Sequence, residues 1–390
     1  MRTATAGLLL CALVAAAHAD TTETEVAALL AAKPTSLLFL SSEERDFAFA
    51  HIAELYPTRR VETGDRVFPL GSRPRDLSSV AYVLGGQRYT VADFLRRPAA
   101  KGFLVWQGDV LFERYANGHD ATTPWVSFSV AKSVTSMLIG AAIKDGYIES
   151  VDEPVVNYVP RFRGTGYEGA TLRDVLQMAS GVNWNEDYAD PNSDVSRAGG
   201  ANGVELVRYL ARLERVRPPG EAFNYNTGET NLVGEILRAA IGNNAATYLT
   251  HKIWRPFGME SDATWLLGKA GGGETGGCCL NVTLRDYARL GIFALRGGRL
   301  ADGTAVLPDD WLRDSTKPSP GEAGYGYLWW LDEGTSFRAR GIFGQQIFID
   351  PARQLVIAIH SNAPAAVDTE YHAHLERVVA AVADALPAPR

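Results

Sequence analysis

A serine and a lysine three residues apart are the first groups in this sequence that could carry out chemistry together. Ser129 and Lys132 lie in the segment WVSFSVAKSVTSMLIGAAIKDGYI, from Trp125 to Ile148. A serine hydroxyl is a weak nucleophile unless a neighbouring group accepts its proton, and a lysine can do so when burial lowers its pKa. The pair therefore indicates acyl transfer through a covalent intermediate, although the same spacing also fits a helix-capping serine followed by a solvated lysine.

A tyrosine further along the chain could move the proton that such a reaction releases. Tyr225 lies in RPPGEAFNYNTGETNLVGEIL, from Arg217 to Leu237. The Pro-Pro-Gly sequence at the start of this segment predicts a turn, so Tyr225 is expected on a held loop before an apolar helix. Its phenol could relay a proton between the Ser-Lys pair and a leaving group, or its ring could simply pack.

A glycine-rich segment near the C-terminus could bring backbone N–H groups to the reacting atoms. In FRARGIFGQQIFIDP, from Phe337 to Pro351, Gly341 and Gly344 interrupt a predicted strand. Glycine in a strand allows the backbone to approach a ligand closely, and the alternative interpretation is a β-bulge.

The serine and lysine must be positioned by a helix. Apolar residues recur at helical spacing after Ser129, so we expect Ser129 and Lys132 on one face at the first turn of a largely buried helix; these residues are Val130, Val134, Met137, Leu138, Ala141 and Ala142. The N-terminus of such a helix offers a backbone N–H and the positive end of a dipole to a developing oxyanion.

The remaining pattern predicts an α/β fold of the α+β type, with an antiparallel sheet flanked by helices. GFLVW and VLFERY predict a hairpin from residue 102 to residue 115, and QIFID and LVIAI predict a second hairpin near the end. Helices are expected over Ser42–Leu55 and Ala366–Leu386. Strands from both ends of the chain should therefore share one sheet, with a helical insertion at about residues 150–280. We expect a lead-in over residues 20–100 and one main domain over residues 101–390.

Composition excludes several classes of protein. The chain has 390 residues, of which 46% are apolar and 21% charged, which is typical of a globular protein with a sizeable core. The net charge of -7 and the lack of a Lys/Arg stripe argue against nucleic acid as a partner. Metal-binding and cofactor motifs are also absent, so we assign neither a metal nor a cofactor.

The first residues predict a secretory signal peptide. Arg2 is followed by an apolar stretch from Leu8 to Ala17 and by the small-x-small triplet Ala17-His18-Ala19. We expect residues 1–19 to be removed and the protein to be exported to the periplasm or beyond, with no membrane attachment afterwards. Cys278 and Cys279 would then be the remaining cysteines, and two adjacent cysteines cannot cross-link a long loop.

Taken together, the three motifs resemble those of the serine β-lactamase-related family. SVAK at Ser129, PPGEAFNYNTGETN and GIFGQQIFIDP occur in the family's order over about Val91 to Ala381. This family contains class C β-lactamases, D-alanyl-D-alanine carboxypeptidases, and esterases and amidases with the β-lactamase/transpeptidase-like fold. The segments SFSVAKSVTS and SGVNWNEDYADPNSD are most similar to those of the subgroup of 6-aminohexanoate-dimer hydrolases and related carboxylesterases.

The resemblance implies a role for each matching residue. Ser129 would be the acylated nucleophile, Lys132 its general base and Tyr225 the proton shuttle to the leaving group. The oxyanion hole would combine the Ser129 N–H with one from Gly341 or Ile342. The other candidate substrate contacts are Trp184, Tyr188 and Asn226, of which Tyr188 would lie on a loop that covers the substrate.

Two departures from the family pattern narrow the expected substrate to a small ester or linear amide. The family's Tyr-x-Asn is Tyr225-Asn226-Thr227 here, and Arg338-Ala339-Arg340 stands where Lys-Thr-Gly or His-Thr-Gly would be. A β-lactamase, a D-alanyl-D-alanine carboxypeptidase and a non-catalytic penicillin-binding-like recognition protein remain as alternatives. An α/β-hydrolase is excluded because the chain has no G-x-S-x-G elbow.

Overall fold

The computed structural model describes residue 24, residues 28 and 29, and residues 36–389. The predicted signal peptide lies outside these described residues. The strands are β1 (Thr58–Val61), β2 (Ala81–Leu84), β3 (Gln87–Thr90), β4 (Ala100–Gln107), β5 (Asp109–Tyr115), β6 (Trp125–Val126), β7 (Ala263–Leu266), β8 (Leu280–Val282), β9 (Trp330–Leu331), β10 (Phe337–Arg340), β11 (Gln346–Asp350) and β12 (Leu355–Ser361).

Helices cover both faces of the main sheet and fill the middle of the chain. They are α1 (Ser42–Ala48), α2 (Ile52–Leu55), α3 (Val91–Leu95), α4 (Val130–Lys144), α5 (Val155–Tyr158), α6 (Leu172–Leu176), α7 (Asp194–Ala198), α8 (Gly203–Leu210), α9 (Thr227–Ile241), α10 (Ala245–Leu249), α11 (Arg255–Phe257), α12 (Leu284–Leu295), α13 (Trp311–Ser315) and α14 (Thr369–Asp384). Short 3₁₀ turns span Leu37–Phe39, Pro160–Phe162 and Ile342–Gly344, and a π-helical turn spans Thr250–Trp254.

Six antiparallel strands form the main sheet, in the order β5-β4-β12-β11-β10-β9. Strand β12 pairs with β4, with Ile359 opposite Phe103 and Ile357 opposite Val105, so the two ends of the chain meet in the sheet centre. Both predicted hairpins are present, as β4-β5 and β11-β12. The predicted antiparallel sheet, built from both ends of the chain and flanked by helices, is confirmed.

A second sheet supports the start of helix α4. Its order is β1-β7-β8-β6, and β6 ends at Val126, close before Ser129. Ser127 joins β6 to β8 further, because its N–H donates to the Leu280 carbonyl at 2.7 Å and its hydroxyl accepts from the Leu280 N–H at 2.8 Å. Helix α4 packs between α9 and β10, and nearly all of its side chains are buried. The nucleophile candidate therefore stands where a sheet and a buried helix meet.

The helix predicted over Ser42–Leu55 is divided into α1 and α2. The backbone leaves the helical region at His51, whose φ is -117° and ψ is 33°. The Phe49 carbonyl accepts a hydrogen bond from Val126 at 3.0 Å instead of continuing the helix ladder. Phe49 is fully buried, so a tertiary contact that periodicity does not reveal ends the first helix here.

Among the described residues, no helix combines the length and the apolar character that a bilayer span requires. The same residues contain no cluster of His, Cys, Asp or Glu side chains suited to hold a metal ion.

A buried pair of histidines, His360 on strand β12 and His119 beside it, makes stability depend on pH. His119 Nε2 lies 3.0 Å from His360 Nδ1, and burial lowers the pKa of His119 to about 4. In the unfolded chain this histidine takes up a proton near its ordinary pKa of 6.5, while in the folded protein it does not. Stability present above pH 6.5 is therefore lost as the pH falls towards 4. The loss due to His119 is about 2–3 kcal/mol.

Chemical denaturation between pH 7 and pH 4 tests this prediction. We expect His119→Gln to flatten the decrease in the free energy of unfolding, whereas His251→Gln, at an exposed position, should leave the decrease unchanged. Equal slopes for wild type and His119→Gln would contradict it.

Candidate active site

Ser129 occupies the N-cap position of helix α4, directly before its first turn. The residue before it, Phe128, is buried and has a φ of 43°, a left-handed backbone conformation that residues other than glycine rarely adopt. This sharp turn presents half-buried Ser129 to a cavity and, within the described chain, leaves its N–H without a protein acceptor. The side chain and the N–H of Ser129 are thus both available to a substrate.

Lys132 lies one turn into the helix and is almost fully buried. Its Nζ donates to Thr227 Oγ1 at 2.9 Å and to the Gly277 carbonyl at 3.3 Å. Burial lowers the pKa of Lys132 to about 8, although the Glu186 carboxylate opposes this shift. A Cβ on Gly277 would stand 2.9 Å from the ammonium, so glycine is needed there. Near neutral pH an appreciable share of Lys132 is an uncharged amine, the form that can accept a proton.

Tyr225 completes a cluster with these two residues. Lys132 Nζ lies 5.4 Å from the centre of its ring, and the Ser129 side chain is near enough to act on the pKa of its phenol. The ring stacks on Trp330 with centroids 5.5 Å apart, which fixes its orientation. Burial, as the largest cause, raises the pKa of Tyr225, so its hydroxyl keeps its proton. The structure brings together the serine, lysine and tyrosine singled out in the sequence.

A carboxylate that sequence reasoning missed organises the other side of this cluster. Glu186 accepts hydrogen bonds from the Thr227 N–H at 3.0 Å, from the Tyr188 hydroxyl at 2.7 Å, and from Trp184 Nε1 and the Thr227 hydroxyl. Thr227 in turn accepts from Lys132. Glu186 is therefore linked to the lysine through one threonine. Its position between two aromatic residues in the NWNEDY loop was the available sequence signal.

The three other candidate substrate contacts have different surroundings. Tyr188 lines the same cavity as Ser129. Trp184 is buried, and its ring packs against Gly228. A Cβ on Gly228 would lie 2.7 Å from the indole. Asn226 is fully buried and caps helix α9, because its Oδ1 accepts the Glu229 N–H at 2.9 Å. The structure thus brings Tyr188 to the cavity and uses Trp184 and Asn226 as supports around it.

The glycine-rich segment reaches the nucleophile as a 3₁₀ turn at the end of β10. The Gly341 N–H donates to the Gln345 carbonyl at 2.8 Å, whereas the Ile342 N–H has no acceptor in the described chain and Ile342 lines the cavity. A Cβ on Gly341 would lie 2.5 Å from the Ser127 carbonyl oxygen. Of the two alternatives left open by the sequence, the geometry favours Ile342 as donor and Gly341 as the residue that permits the close approach.

The cavity in front of Ser129 has a volume of about 420 Å³. Apolar and polar groups both contribute to its wall, among them Leu37, Leu38, Tyr56, Arg197, Leu266 and Cys278. The adjacent residues Cys278 and Cys279 line it beside Ser129.

The arginines of β10 are largely engaged by acidic side chains. Arg338 is buried and binds Asp332 at 2.6 Å and Glu376 at 2.7 Å. Arg340 is half-buried, binds Glu376 at 3.0 Å and stacks over Trp330. These ion pairs orient both guanidinium groups within the protein, so this strand does not offer the free cation of a Lys-Thr-Gly motif.

Removing the charge of Glu186 is expected to lower the pKa of Lys132 further, because that charge favours the ammonium form. For any reaction that needs the uncharged Lys132 amine, the acidic limb of the pH–rate profile of Glu186→Gln should therefore move to lower pH. Asp187→Asn, which removes a neighbouring exposed carboxylate, is the matched control and should shift the limb less. A limb that stays in place or moves to higher pH in Glu186→Gln would contradict this link.

Comparisons with known proteins indicate the family and the fold of the chain. A family model described as Beta-lactamase matches residues 90–381. The 6-aminohexanoate-dimer hydrolase of Paenarthrobacter ureafaciens is 28% identical over 383 residues, which cover 92% of this chain and 95% of that protein.

Solved structures with the same fold extend the comparison. A Bacillus anthracis protein provisionally described as a 6-aminohexanoate-dimer hydrolase superposes with a TM-score of 0.79 at 24% identity, covering 88% of this chain and 94% of that one. A family VIII carboxylesterase superposes with a TM-score of 0.57 at 17% identity, covering 73% of this chain and 92% of the other. At these identities the solved structures establish the fold alone.

Proposed function

Because the chain belongs to the beta-lactamase family, we propose that it is a serine hydrolase that cleaves carboxylic esters or small linear amides through an acyl-enzyme. The observation that carries the proposal is that Ser129 lines a cavity, with Lys132 one helical turn away and the Tyr225 ring centre 5.4 Å from Lys132 Nζ. Burial lets part of Lys132 exist as the uncharged amine near neutral pH and keeps the Tyr225 phenol protonated. The 6-aminohexanoate-dimer hydrolase relative supports the choice of substrate class.

Acylation begins with proton transfer from Ser129 to the uncharged amine of Lys132. The Ser129 oxygen attacks the substrate carbonyl, and the N–H groups of Ser129 and Ile342 stabilise the oxyanion that develops. Among the described residues neither N–H group has an acceptor, so no bond to these residues must break before they serve this charge.

Tyr225 delivers the proton that lets the leaving group depart. Since its pKa is raised, the phenol is a proton donor throughout the working pH range. It donates to the leaving oxygen or nitrogen and is reprotonated by the Lys132 ammonium, whose Nζ lies near its ring. Water then attacks the acyl-enzyme, gives up its proton along the same route in reverse, and releases the carboxylic acid.

The groups that would grip a β-lactam are differently used in this protein. Thr227 stands at the position of the family's asparagine and has a hydroxyl in place of the amide, and this hydroxyl is bonded to Lys132 and Glu186. Arg338 and Arg340 are held by Glu376. A β-lactamase or a D-alanyl-D-alanine carboxypeptidase is therefore the second candidate. Its support is the family itself, and β-lactam turnover would favour it.

We further propose that the protein acts outside the cytoplasm, on the evidence of the N-terminal sequence described above. Its partner is a small-molecule ester or amide. A non-catalytic recognition protein is less well supported, because a binding role alone would not require a proton-accepting lysine beside the serine.

A substrate panel tests the proposal. We would assay p-nitrophenyl esters from acetate to octanoate, a linear 6-aminohexanoate dimer and nitrocefin with wild type and Ser129→Ala. Ester or linear-amide turnover that disappears in Ser129→Ala is expected. Turnover of nitrocefin alone would support the second candidate, and no turnover together with no adduct on Ser129 would support a recognition protein.

A further inference from the structure

Arg45, in the region before the matched family domain, is a buried cation with a full set of hydrogen bonds. Only 4% of its surface is exposed. Its Nε donates to Asn362 Oδ1 at 2.9 Å, and Nη2 donates to the carbonyls of Ala363 and Pro364 at 3.2 and 2.9 Å. Its Nη1 donates to the Leu40 carbonyl at 2.8 Å. Arg45 therefore ties the beginning of the chain to the segment that follows strand β12.

That segment holds the residue next to the proposed oxyanion donor. The Ala363 N–H donates to the Phe343 carbonyl at 3.0 Å, and the Phe343 N–H donates to the Ala366 carbonyl at 3.1 Å. The Arg45 guanidinium also lies over the Phe343 ring, 4.6 Å from its centre. Phe343 directly follows Ile342, so Arg45 fixes this end of the oxyanion hole through both backbone and ring.

The other end of the oxyanion hole is fixed in the same cluster. Phe128 precedes Ser129, and its ring lies 5.1 Å from that of Phe343. Phe49, from the turn after α1, contacts both rings, at 5.0 Å from Phe128 and 5.4 Å from Phe343. Phe128 precedes the Ser129 donor and Phe343 follows the Ile342 donor. Phe49, from the N-terminal region, thus packs against both phenylalanines.

Both of these phenylalanines have a backbone conformation that needs outside support. The φ of Phe128 is 43° and that of Phe343 is 62°, and both residues are buried. A side chain with a Cβ holds such a conformation only where the surroundings determine it, and such residues cluster at functional sites. Arg45 and Phe49 supply those surroundings here.

We propose that Arg45, together with Phe49, is a positioning element that sets the spacing of the Ser129 and Ile342 N–H groups. The inference rests on the proposed function, since an oxyanion hole matters only if the protein catalyses acyl transfer. Arginine suits the position because its planar fork reaches several carbonyls and stacks on a ring at once, which a lysine cannot do. The N-terminal region would thereby contribute to catalysis by holding the two N–H donors of the oxyanion hole in place.

Arg45→Lys, which keeps the charge and loses the fork, tests the proposal. A displaced oxyanion hole weakens binding of the transition state more than binding of the substrate, so we expect kcat to fall about 10-fold with KM changed less than about twofold. The affinity for phenylboronic acid, which places a tetrahedral oxygen in the hole when it binds Ser129, should fall in proportion to kcat.

Arg289→Lys is the matched control. Arg289 is also buried and ion-paired, with Asp286 and Glu260, but it lies on helix α12 away from the cavity. The Arg289→Lys variant should have a lower free energy of unfolding but an unchanged ratio of boronate affinity to KM. Phe343→Leu removes the ring under Arg45 and keeps an apolar side chain, and it is measured beside Arg45→Lys in case that variant does not fold.

The possible outcomes separate this inference from the proposed function. An active enzyme in which both folded variants keep wild-type kcat and boronate affinity would overturn the inference alone. So would an equal loss of boronate affinity in Arg289→Lys. A wild-type protein that neither turns over an ester nor binds the boronate would overturn the proposed function, and the inference with it.

Discussion

Replacement of Ser129 by alanine is expected to reduce ester hydrolysis by at least about 10³-fold, because the nucleophile and the proton that it passes on are both removed. KM should change little, since the cavity wall is otherwise intact. The residual rate would come from oriented binding and the remaining N–H groups. Initial rates with p-nitrophenyl butyrate measure the effect directly.

Ser136→Ala is the control for this substitution. Ser136 is buried on the same helix and its hydroxyl has no hydrogen-bond partner in the described chain, so the change removes an equivalent oxygen with little effect on folding. We expect nearly wild-type rates. A Ser129→Ala protein that is folded and retains wild-type activity would refute the assignment of Ser129 as nucleophile.

The second large effect is expected at Lys132, which must lose its proton before it can act as a base. Because its pKa is lowered to about 8, kcat/KM should rise with pH and level off above about pH 8. Below that value the uncharged fraction falls tenfold for each pH unit. Lys132→Arg keeps the positive charge and cannot deprotonate, so we expect activity to fall about 10²–10⁴-fold at every pH.

Lys144→Arg provides the comparison, because Lys144 is an exposed lysine at the other end of the same helix. It should reproduce both the wild-type rate and the wild-type pH profile. A profile without a rise towards pH 8, or an active Lys132→Arg enzyme, would exclude Lys132 as the general base.

The sequence was most informative where local pattern and tertiary structure agree. The two hairpins follow from the alternation of apolar and polar residues, and the buried helix after Ser129 follows from helical periodicity. Tertiary packing does not change these elements, because both patterns are local. The spacing of Ser129 and Lys132 places them together in any helix, so this part of the site could be predicted without knowledge of the fold. Tyr225 required the resemblance as well, since its distance from Ser129 depends on how α9 packs against α4.

The features that could not be predicted depend on long-range contacts. Glu186 reaches Lys132 only because its loop folds over Thr227, which no local pattern encodes. The interruption of the helix predicted from Ser42 depends on the burial of Phe49 and its bond to Val126. Likewise, the choice of Ile342 over Gly341 as donor required the Gly341 bond to Gln345. The substrate contacts proposed for Trp184 and Asn226 stay predictions.

The most direct test of the acyl-enzyme mechanism is peptide mass spectrometry of enzyme quenched with acid during turnover of p-nitrophenyl butyrate. We predict a butyryl group on Ser129 in wild type and none on this peptide in Ser129→Ala. Steady turnover with no adduct on Ser129, or with the adduct on another residue, would contradict the mechanism.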